Sequence, residues 1–242
     1  MAELDVKDVT DGVLEVVVDR PPANLLTVEM CAELTELLRK PPADAHILRL
    51  RMAGDVFCMG RERAGTTPGD LVSETRTLVD LHKALRASAL VTIAEVNGDA
   101  AGFGVGLIAA CDVAVAVADA HFSFPEVGIN LAPALVLAWL PRVIGERNAF
   151  WLTATGERIT ADLAHEMGLV NEVVENAEAL AKVVAERTSA LRARNPRIHS
   201  EIKDLLRAFR SLDEDQALEH SINRLVVGAL RRGGPVGAVD QP

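Results

Sequence analysis

Cysteine is scarce in this sequence of 242 residues, which contains only Cys31, Cys58 and Cys111. An odd number of cysteines without a C-x-x-C spacing supports neither a disulfide framework nor a zinc site. The sequence therefore predicts no metal ligands, and three unpaired thiols favour the reducing environment of the cytoplasm.

Long apolar runs are also missing, because Asp, Pro or Gly interrupts every hydrophobic stretch well before the length that spans a membrane. The N-terminal residues, Met-Ala-Glu-Leu-Asp-Val-Lys, lack the apolar region of an export signal. These two absences predict a protein that is neither anchored in a membrane nor exported.

Positive charge is in deficit, with 25 Lys and Arg residues against 35 Asp and Glu residues and a net charge of −10. Nucleic acid is disfavoured as a partner, because a phosphate backbone demands clustered positive charge. Hydrophobic residues make up 49% of the chain and charged residues 25%, a balance typical of a packed globular protein. The length fits one large α/β domain with a smaller helical appendage.

Strand and helix patterns alternate over the first two-thirds of the chain. Short runs that are apolar on both faces predict buried strands at Val13–Val18, His46–Leu50, Val91–Val96 and Val113–Val117. Helical patterns lie between them, at Thr27–Arg39 with Thr27 as the N-cap, at Leu71–Arg86 and at Gly102–Cys111. This alternation predicts an α/β layer structure.

After Pro133 a single strand pattern remains, at Leu169–Val174. Helices are predicted at Ala134–Ile144, Glu146–Thr153, Ala161–Glu166, Ala177–Arg192, Pro196–Arg210 and Glu214–Leu230. The last two carry an apolar stripe that must pack on the chain's own core or on another subunit. We predict a core domain over residues 1–190, and a helical region over residues 191–242 for oligomer contacts and pocket capping. A Gly/Pro-rich tail, Gly233–Pro242, is expected to fray.

The segment Val56–Glu62 takes an apolar strand end into Gly60 and then into charged residues. A backbone that turns sharply after a buried strand can leave an N–H group unpaired, and such groups facing a cavity form oxyanion holes. A turn after any strand has the same appearance, so a purely structural interpretation stays open.

The segment Val96–Leu107 follows a predicted strand and opens a helix, with glycines at positions 98, 102, 104 and 106. Glycines permit tight turns and close ligand approach, and a helix N-terminus supplies free N–H groups and partial positive charge. An anionic centre fits here. The glycine spacing does not complete a dinucleotide-binding fingerprint, which disfavours a Rossmann fold.

The segment Ala120–Pro133 places one carboxylate, Glu126, among phenylalanine, valine and isoleucine side chains. A carboxylate in apolar surroundings loses solvation and becomes a stronger base. Glu126 is therefore a candidate catalytic base, and a surface cap or ion pair is the alternative interpretation.

Together, the order and spacing of these segments resemble the crotonase family, also called the enoyl-CoA hydratase/isomerase family, across roughly residues 5–230. The matching stretches are the first strand–helix connection at Asp19–Leu26, the two oxyanion segments at Val56–Glu62 and Val96–Asp112, and the approach to the C-terminal helices at Gly156–Ala161 and Glu166–Asn171.

The resemblance implies a spiral of repeated ββα turns with a C-terminal helical region, assembled as a homotrimer or a hexamer. It implies an acyl-CoA thioester as the substrate, with no separate cofactor because coenzyme A is part of that substrate. The backbone N–H groups of Arg61 and Phe103 match the family's oxyanion hole, which stabilises a thioester enolate, and Glu126 matches its main acid and base.

By the same resemblance, Met59, Gly60, Arg63 and Gly102 are expected to contact the substrate, with coenzyme A along the loop of residues 57–64. Trp139 is expected either to form a wall of the acyl pocket or to pack in the core.

One position departs from the family's pattern. Hydratases of the family present two glutamates, and the first of these falls on Gly106, which has no side chain. One carboxylate suffices to move a proton between two carbons, whereas two can hold and activate water. The departure favours an isomerase, with a hydratase kept open. Glu62 and Asp99 are the candidates for a replacement acid.

Two further alternatives use the same oxyanion hole. A decarboxylase or dehydratase would act on a carrier-bound acyl thioester, and a non-catalytic acyl-CoA-binding subunit would have lost turnover together with the first glutamate. A serine hydrolase is disfavoured, because no G-x-S-x-G elbow exists and neither His82 nor His121 has a recognisable serine or carboxylate partner.

Overall fold

A computed structural model describes residues 4–231, and the predicted tail Gly233–Pro242 lies outside them. The chain divides into two compact units, of which the first ends at Ser200 and the second begins at Glu201. All of the strands described below belong to the first unit. The assignment of pocket capping and oligomer contacts to the C-terminal helical region stays a prediction.

The strands of the first unit are mostly short and follow one another in pairs. They are β1 (Leu4–Val6), β2 (Val13–Val18), β3 (Ile47–Met52), β4 (Val56–Cys58), β5 (Val91–Val96), β6 (Asp99–Ala101), β7 (Val113–Val117), β8 (His121–Ser123), β9 (Ile159–Thr160) and β10 (Glu172–Val174).

Helices separate these pairs and form the C-terminal part of the chain. They are α1 (Val28–Arg39), α2 (Pro68–Ala87), α3 (Phe103–Ala110), α4 (Ala134–Leu137), α5 (Pro141–Ile144), α6 (Glu146–Thr155), α7 (Ala161–Glu166), α8 (Ala177–Arg192), α9 (Pro196–Phe209) and α10 (Glu214–Arg231), with a 3-10 turn at Pro125–Ile129.

Two sheets share the strands in a repeating way. A six-stranded sheet has the order β1-β2-β3-β5-β7-β10, and a four-stranded sheet has the order β4-β6-β8-β9. The strands β3, β5 and β7 are parallel neighbours in the larger sheet, and each is followed along the chain by a strand of the smaller sheet. Because a helix follows the pairs β3–β4 and β5–β6, the chain winds in ββα turns, which confirms the predicted architecture.

Burial follows the position of each strand in the larger sheet. The central strand β5 is buried at all six positions, whereas β2 alternates between buried and half-buried residues. A strand that is apolar on both faces must be covered on both faces, so the continuous apolar pattern of β5 places it between two layers. At the start of α1, Thr27 Oγ1 accepts a hydrogen bond from Met30 N at 3.2 Å, which confirms the predicted N-cap.

Two predicted elements differ from the structure. The single helix expected over Ala134–Ile144 is divided into α4 and α5, because Pro141 has no N–H to continue the α4 ladder and instead starts a new turn. The strand expected over Leu169–Val174 is shorter in the structure, where it forms only β10. The residues before β10 end the preceding helix instead, since Leu169 N donates to Ala164 O at 2.8 Å and so closes α7. The short strands β1, β6, β8 and β9 were not predicted.

The second unit, described by itself, contains most of α9 and all of α10 and exposes an apolar stripe. The side chains of Ile202, Leu206, Leu218, Ile222 and Leu225 are between 49% and 72% exposed. Contact of this stripe with another subunit stays a prediction. Among residues 4–231, no helix combines the length and the apolar character that crossing a membrane requires.

Candidate active site

One cavity brings together four of the predicted site residues. Arg61, Arg63, Phe103 and Glu126 line a cavity of about 220 Å³. The remaining lining residues come from α2 and from the segment that leads into α4, and they are Thr75, Leu78 and residues 131–136.

The backbone N–H of Arg61 is left out of strand pairing. Leu26 and Arg61 form an isolated parallel bridge, in which Leu26 N donates to Gly60 O at 3.2 Å and Glu62 N donates to Leu26 O at 2.9 Å. In such a bridge the N–H of the central residue points away from the partner strand. Gly60 makes the preceding turn with a φ of 127°, a conformation that favours glycine.

The backbone N–H of Phe103 is free for a different reason. Phe103 is the first residue of α3, and the first N–H groups of a helix have no partner within the helix. Among the hydrogen bonds of residues 4–231, neither Phe103 N nor Arg61 N donates to a protein acceptor. The helix N-terminus adds partial positive charge at the same place, so the site favours an anionic oxygen.

A glycine lets the two donor segments approach each other. A Cβ atom at Gly104 would overlap the carbonyl oxygen of Cys58 and lie 2.9 Å from its carbonyl carbon. The first turn of α3 therefore packs directly against the end of β4. Because Arg61 follows β4 and Phe103 begins α3, this contact places the two free N–H groups in neighbouring segments of the same cavity.

Glu126 lines the cavity from the 3-10 turn Pro125–Ile129. Its backbone oxygen accepts a hydrogen bond from Leu131 N at 3.0 Å, which holds the turn against the next segment. Its Oε2 atom is buried and has no hydrogen-bond partner among residues 4–231. A buried carboxylate oxygen without a partner is costly for folding, and such groups point to function.

Glu62 and Asp99, the candidate replacement acids, make ion pairs away from the cavity lining. Glu62 Oε2 lies 2.6 Å from Arg20 Nη2. Asp99 Oδ1 accepts from His121 N at 2.9 Å, and its Oδ2 lies 2.6 Å from Arg158 Nη2. Neither carboxylate is among the residues that line the cavity.

The other predicted substrate contacts lie outside the set of lining residues. The Met59 side chain is 40% exposed, while Gly60 and Gly102 shape the backbone beside the two free N–H groups. Trp139 packs behind α3, where its Nε1 donates to Ala109 O at 2.9 Å. The guanidinium carbon of Arg86 lies 3.9 Å from the centre of the Trp139 ring system. The structure therefore does not bring Trp139 into this cavity.

Val136 occupies the space beside Gly106. A Cβ atom at Gly106 would lie 3.0 Å from Val136 Cγ2, so a longer side chain would displace Val136. His82, which has no partner recognisable in the sequence, lines a small void together with Gly106 and Phe103. Burial, and then the nearby charge of Arg86, lowers the pKa of His82, so its imidazole is neutral at neutral pH.

Glu74 on α2 is a residue of this region that sequence reasoning missed. It is only 6% exposed, accepts from Ala64 N at 3.0 Å, and lies 3.3 Å from Arg61 Nη1. In the sequence it is in register with Leu78 and Leu81, on the stripe of α2 that faces the core. A carboxylate on an apolar stripe is the signal that identifies such a residue.

Comparisons with known proteins identify the family of this chain. The enoyl-CoA hydratase/isomerase family model matches residues 8–226. The enoyl-CoA hydratase ACTT6 of Alternaria alternata is 31% identical over 89% of this chain and 74% of its own length. The 1,2-epoxyphenylacetyl-CoA isomerase of Escherichia coli strain K12 is 32% identical over 73% of this chain and 71% of its own.

A solved structure leads to the same family. The crystal structure of an enoyl-CoA hydratase from Mycobacterium smegmatis has a TM-score of 0.88 and 26% sequence identity, covering 94% of this chain and 91% of that one. The chain therefore belongs to the enoyl-CoA hydratase/isomerase family and has the crotonase fold.

Proposed function

We propose that this protein is an enoyl-CoA isomerase, which converts a 3-enoyl thioester into the conjugated 2-enoyl thioester with Glu126 as its acid and base. One observation carries the proposal: Glu126 lines the same cavity as Arg61 and Phe103, and its buried Oε2 has no hydrogen-bond partner in the part of the chain that the structure describes. The place of a second carboxylate, Gly106, has no side chain and lies against Val136.

The proton moves between two carbons of the substrate. The Glu126 carboxylate takes a proton from the α-carbon, and the electron pair shifts toward the thioester oxygen, which becomes an enolate oxygen. The N–H groups of Arg61 and Phe103 donate to that oxygen and stabilise its charge. Protonated Glu126 then returns the proton to the γ-carbon, so the double bond moves into conjugation and no atom is gained or lost.

Coenzyme A enters this scheme as part of the substrate, so the proposed chemistry uses no separate cofactor. Arg63 is exposed at the cavity and provides a positive charge for a phosphate of the coenzyme. Met59 and Gly60 precede the Arg61 donor in the loop of residues 57–64, where we expect them to contact the substrate. The acyl part then lies between Thr75 and Leu78 on one side and Val136 on the other.

Hydration of a 2-enoyl thioester is the second candidate. It is favoured by the position of His82, whose neutral imidazole lines the void beside Gly106, where family hydratases carry a glutamate. In this alternative His82 holds the water molecule while Glu126 exchanges the protons. ACTT6, whose name is enoyl-CoA hydratase, adds support.

The test is incubation of the purified protein with a 3-enoyl-CoA and, separately, a 2-enoyl-CoA, each followed by mass spectrometry and thioester absorbance. We expect new conjugation of the 3-enoyl thioester without a change of mass. Gain of one water by the 2-enoyl thioester would instead identify a hydratase. Loss of carbon dioxide or water from a carrier-bound thioester would identify the other enzymatic alternatives, and binding without turnover would identify a binding subunit.

We also propose a homotrimer or a hexamer in the cytoplasm. The exposed apolar side chains of the second unit support self-association, because an apolar stripe of this length on one helix pair is unfavourable in water. Light scattering of the purified protein tests the assembly, and a monomer at micromolar concentration would contradict it.

A further inference from the structure

Glu74 is a buried carboxylate that the proposed proton transfer does not use. It lies on α2 with 6% of its surface exposed. A charge in such a place is tolerated only where hydrogen bonds and an opposite charge satisfy it. Its partners therefore indicate why the position carries a glutamate.

Within the described residues 4–231, the hydrogen-bond partners of the Glu74 carboxylate all lie in residues 61–65. Oε1 accepts from Ala64 N at 3.0 Å and also from Gly65 N in a close contact. Oε2 accepts from Arg61 Nη1 at 3.3 Å. One side chain thus binds the loop at both of its ends.

Gly65 is the residue that lets the loop come this close. A Cβ atom at position 65 would lie 2.9 Å from Glu74 Oε1 and 3.0 Å from Asp70 Cβ. A larger residue would therefore displace either the loop or the Glu74 carboxylate, because both neighbouring atoms belong to side chains of α2.

The helix that carries Glu74 is itself fixed at its start. Thr67 Oγ1 accepts from Asp70 N at 3.2 Å, and Asp70 Oδ2 accepts from Thr67 N at 3.0 Å, which is a capping box. Further along α2, Leu78 and Leu81 are buried in the core. Glu74 therefore holds the loop to a rigid element.

We propose that Glu74 is a positioning residue for the oxyanion hole: it fixes the loop of residues 61–65 on α2 so that Arg61 N–H is aimed at the thioester oxygen. The inference rests on the proposed function, which places one oxyanion donor at Arg61. If Arg61 N–H is misdirected, kcat is expected to fall by up to about 10²–10³-fold, which is the loss caused by removing one oxyanion-hole donor. Substrate binding changes little, because the loss falls on the enolate-like transition state.

The measurement is the absorbance of a bound, unreactive conjugated thioester such as an arylacrylyl-CoA. Polarisation of the thioester carbonyl by two N–H donors shifts its absorption to longer wavelength, so the shift reports on the oxyanion hole without turnover. We expect a clear red shift with the wild-type protein and a smaller one with Glu74→Gln, together with a lower kcat and nearly unchanged binding.

Two variants make the test decisive. Gly65→Ala keeps every charge but displaces either the loop or the Glu74 carboxylate, so it is expected to weaken the red shift, and it remains as a test if Glu74→Gln fails to fold. Asp80→Asn is the matched control, because Asp80 is a half-exposed carboxylate on the same helix. Its Oδ1 atom lies 3.7 Å from Arg39 Nη2 and, among residues 4–231, makes no hydrogen bond to the loop of residues 61–65.

A full red shift and a wild-type kcat in folded Glu74→Gln or Gly65→Ala would overturn the role of Glu74. Binding of the thioester by the wild-type protein without any red shift would instead contradict the proposed oxyanion hole. The positioning role of Glu74 would then have no basis either. The two failures are therefore distinguishable.

Discussion

The carboxylate of Glu126 lies directly over the backbone of Gly102: a Cβ atom at position 102 would overlap Oε1 and lie 3.1 Å from Cδ. Gly102 also has a φ of 51°, and the next residue is Phe103, the start of α3. Gly102 thus determines two positions: it leaves space for the carboxylate of the proposed base, Glu126, and it precedes the residue of one proposed donor, Phe103.

Gly102→Ala is expected to lower the isomerase rate by about 10²-fold or more, because the new methyl group displaces Glu126 from the reacting carbons. The strained φ is expected to lower the free energy of unfolding by about 1–3 kcal/mol. Steady-state kinetics and thermal unfolding check the two effects. Gly128→Ala is the control, since a Cβ atom there meets no other described residue within 4 Å. A wild-type rate in Gly102→Ala would contradict the arrangement.

Gly106 and Val136 are expected to be energetically coupled. A methyl group at position 106 would press on Val136 Cγ2, so Gly106→Ala should be more favourable by about 1 kcal/mol or more in a Val136→Ala background than in the wild type. A double-mutant cycle of urea unfolding measures this coupling. Gly228→Ala on α10, whose Cβ position has no neighbour within 4 Å among residues 4–231, should show no coupling to Val136→Ala. Strict additivity at Gly106 would mean that Val136 does not block this site.

Two buried thiols are expected to be unreactive in the folded protein. Burial raises the pKa of Cys31 to about 12 and the pKa of Cys58 to about 11. A thiol-titrating reagent at pH near 8 should label them only after unfolding, because the thiolate is the reactive form.

The same shifts give a stability change with pH. The folded-state pKa values lie above that of an unfolded cysteine, about 8.5, so the stabilisation is complete below that pH and is lost as the pH rises toward 11–12. Urea unfolding should therefore show a lower free energy at pH 10 than at pH 8. Rapid labelling of Cys31 in the folded protein would contradict the burial.

Trp139→Phe separates the two interpretations of that residue. Loss of the hydrogen bond from Nε1 to Ala109 O should cost about 1 kcal/mol of stability, while KM should stay unchanged because Trp139 does not line the cavity. Trp151→Phe is the control, since the Trp151 indole makes no hydrogen bond among residues 4–231. A raised KM in Trp139→Phe would instead support the other interpretation, in which Trp139 forms a wall of the acyl pocket.

The elements with a continuous local pattern were predictable from the sequence. The predicted bounds of β2, β5, β7, α7 and α8 agree with the structure, since continuous apolar runs and helical spacing extend over enough residues to be recognised. The smaller sheet was not predicted, because its strands β4, β6, β8 and β9 have only two or three residues each and pair with partners far along the chain.

At the site, too, local patterns were informative and long-range packing was not. Glu126 was identified from its apolar segment, Arg61 and Phe103 were identified through the family resemblance, and the structure places all three on one cavity. The contacts of Val136 with Gly106 and of Glu74 with the loop of residues 61–65 join distant parts of the chain. Such contacts depend on how helices and loops pack, and no local pattern specifies them.

The most direct test of the account is the conversion of a 3-enoyl-CoA by the wild-type protein and by Glu126→Gln under the same conditions. The wild type should form the conjugated thioester with no change of mass. The variant should still bind coenzyme A thioesters but lose about 10²–10⁴-fold in rate, because its amide cannot carry the proton. Equal rates for the two proteins, or addition of water in place of isomerisation, would contradict a single-carboxylate proton transfer.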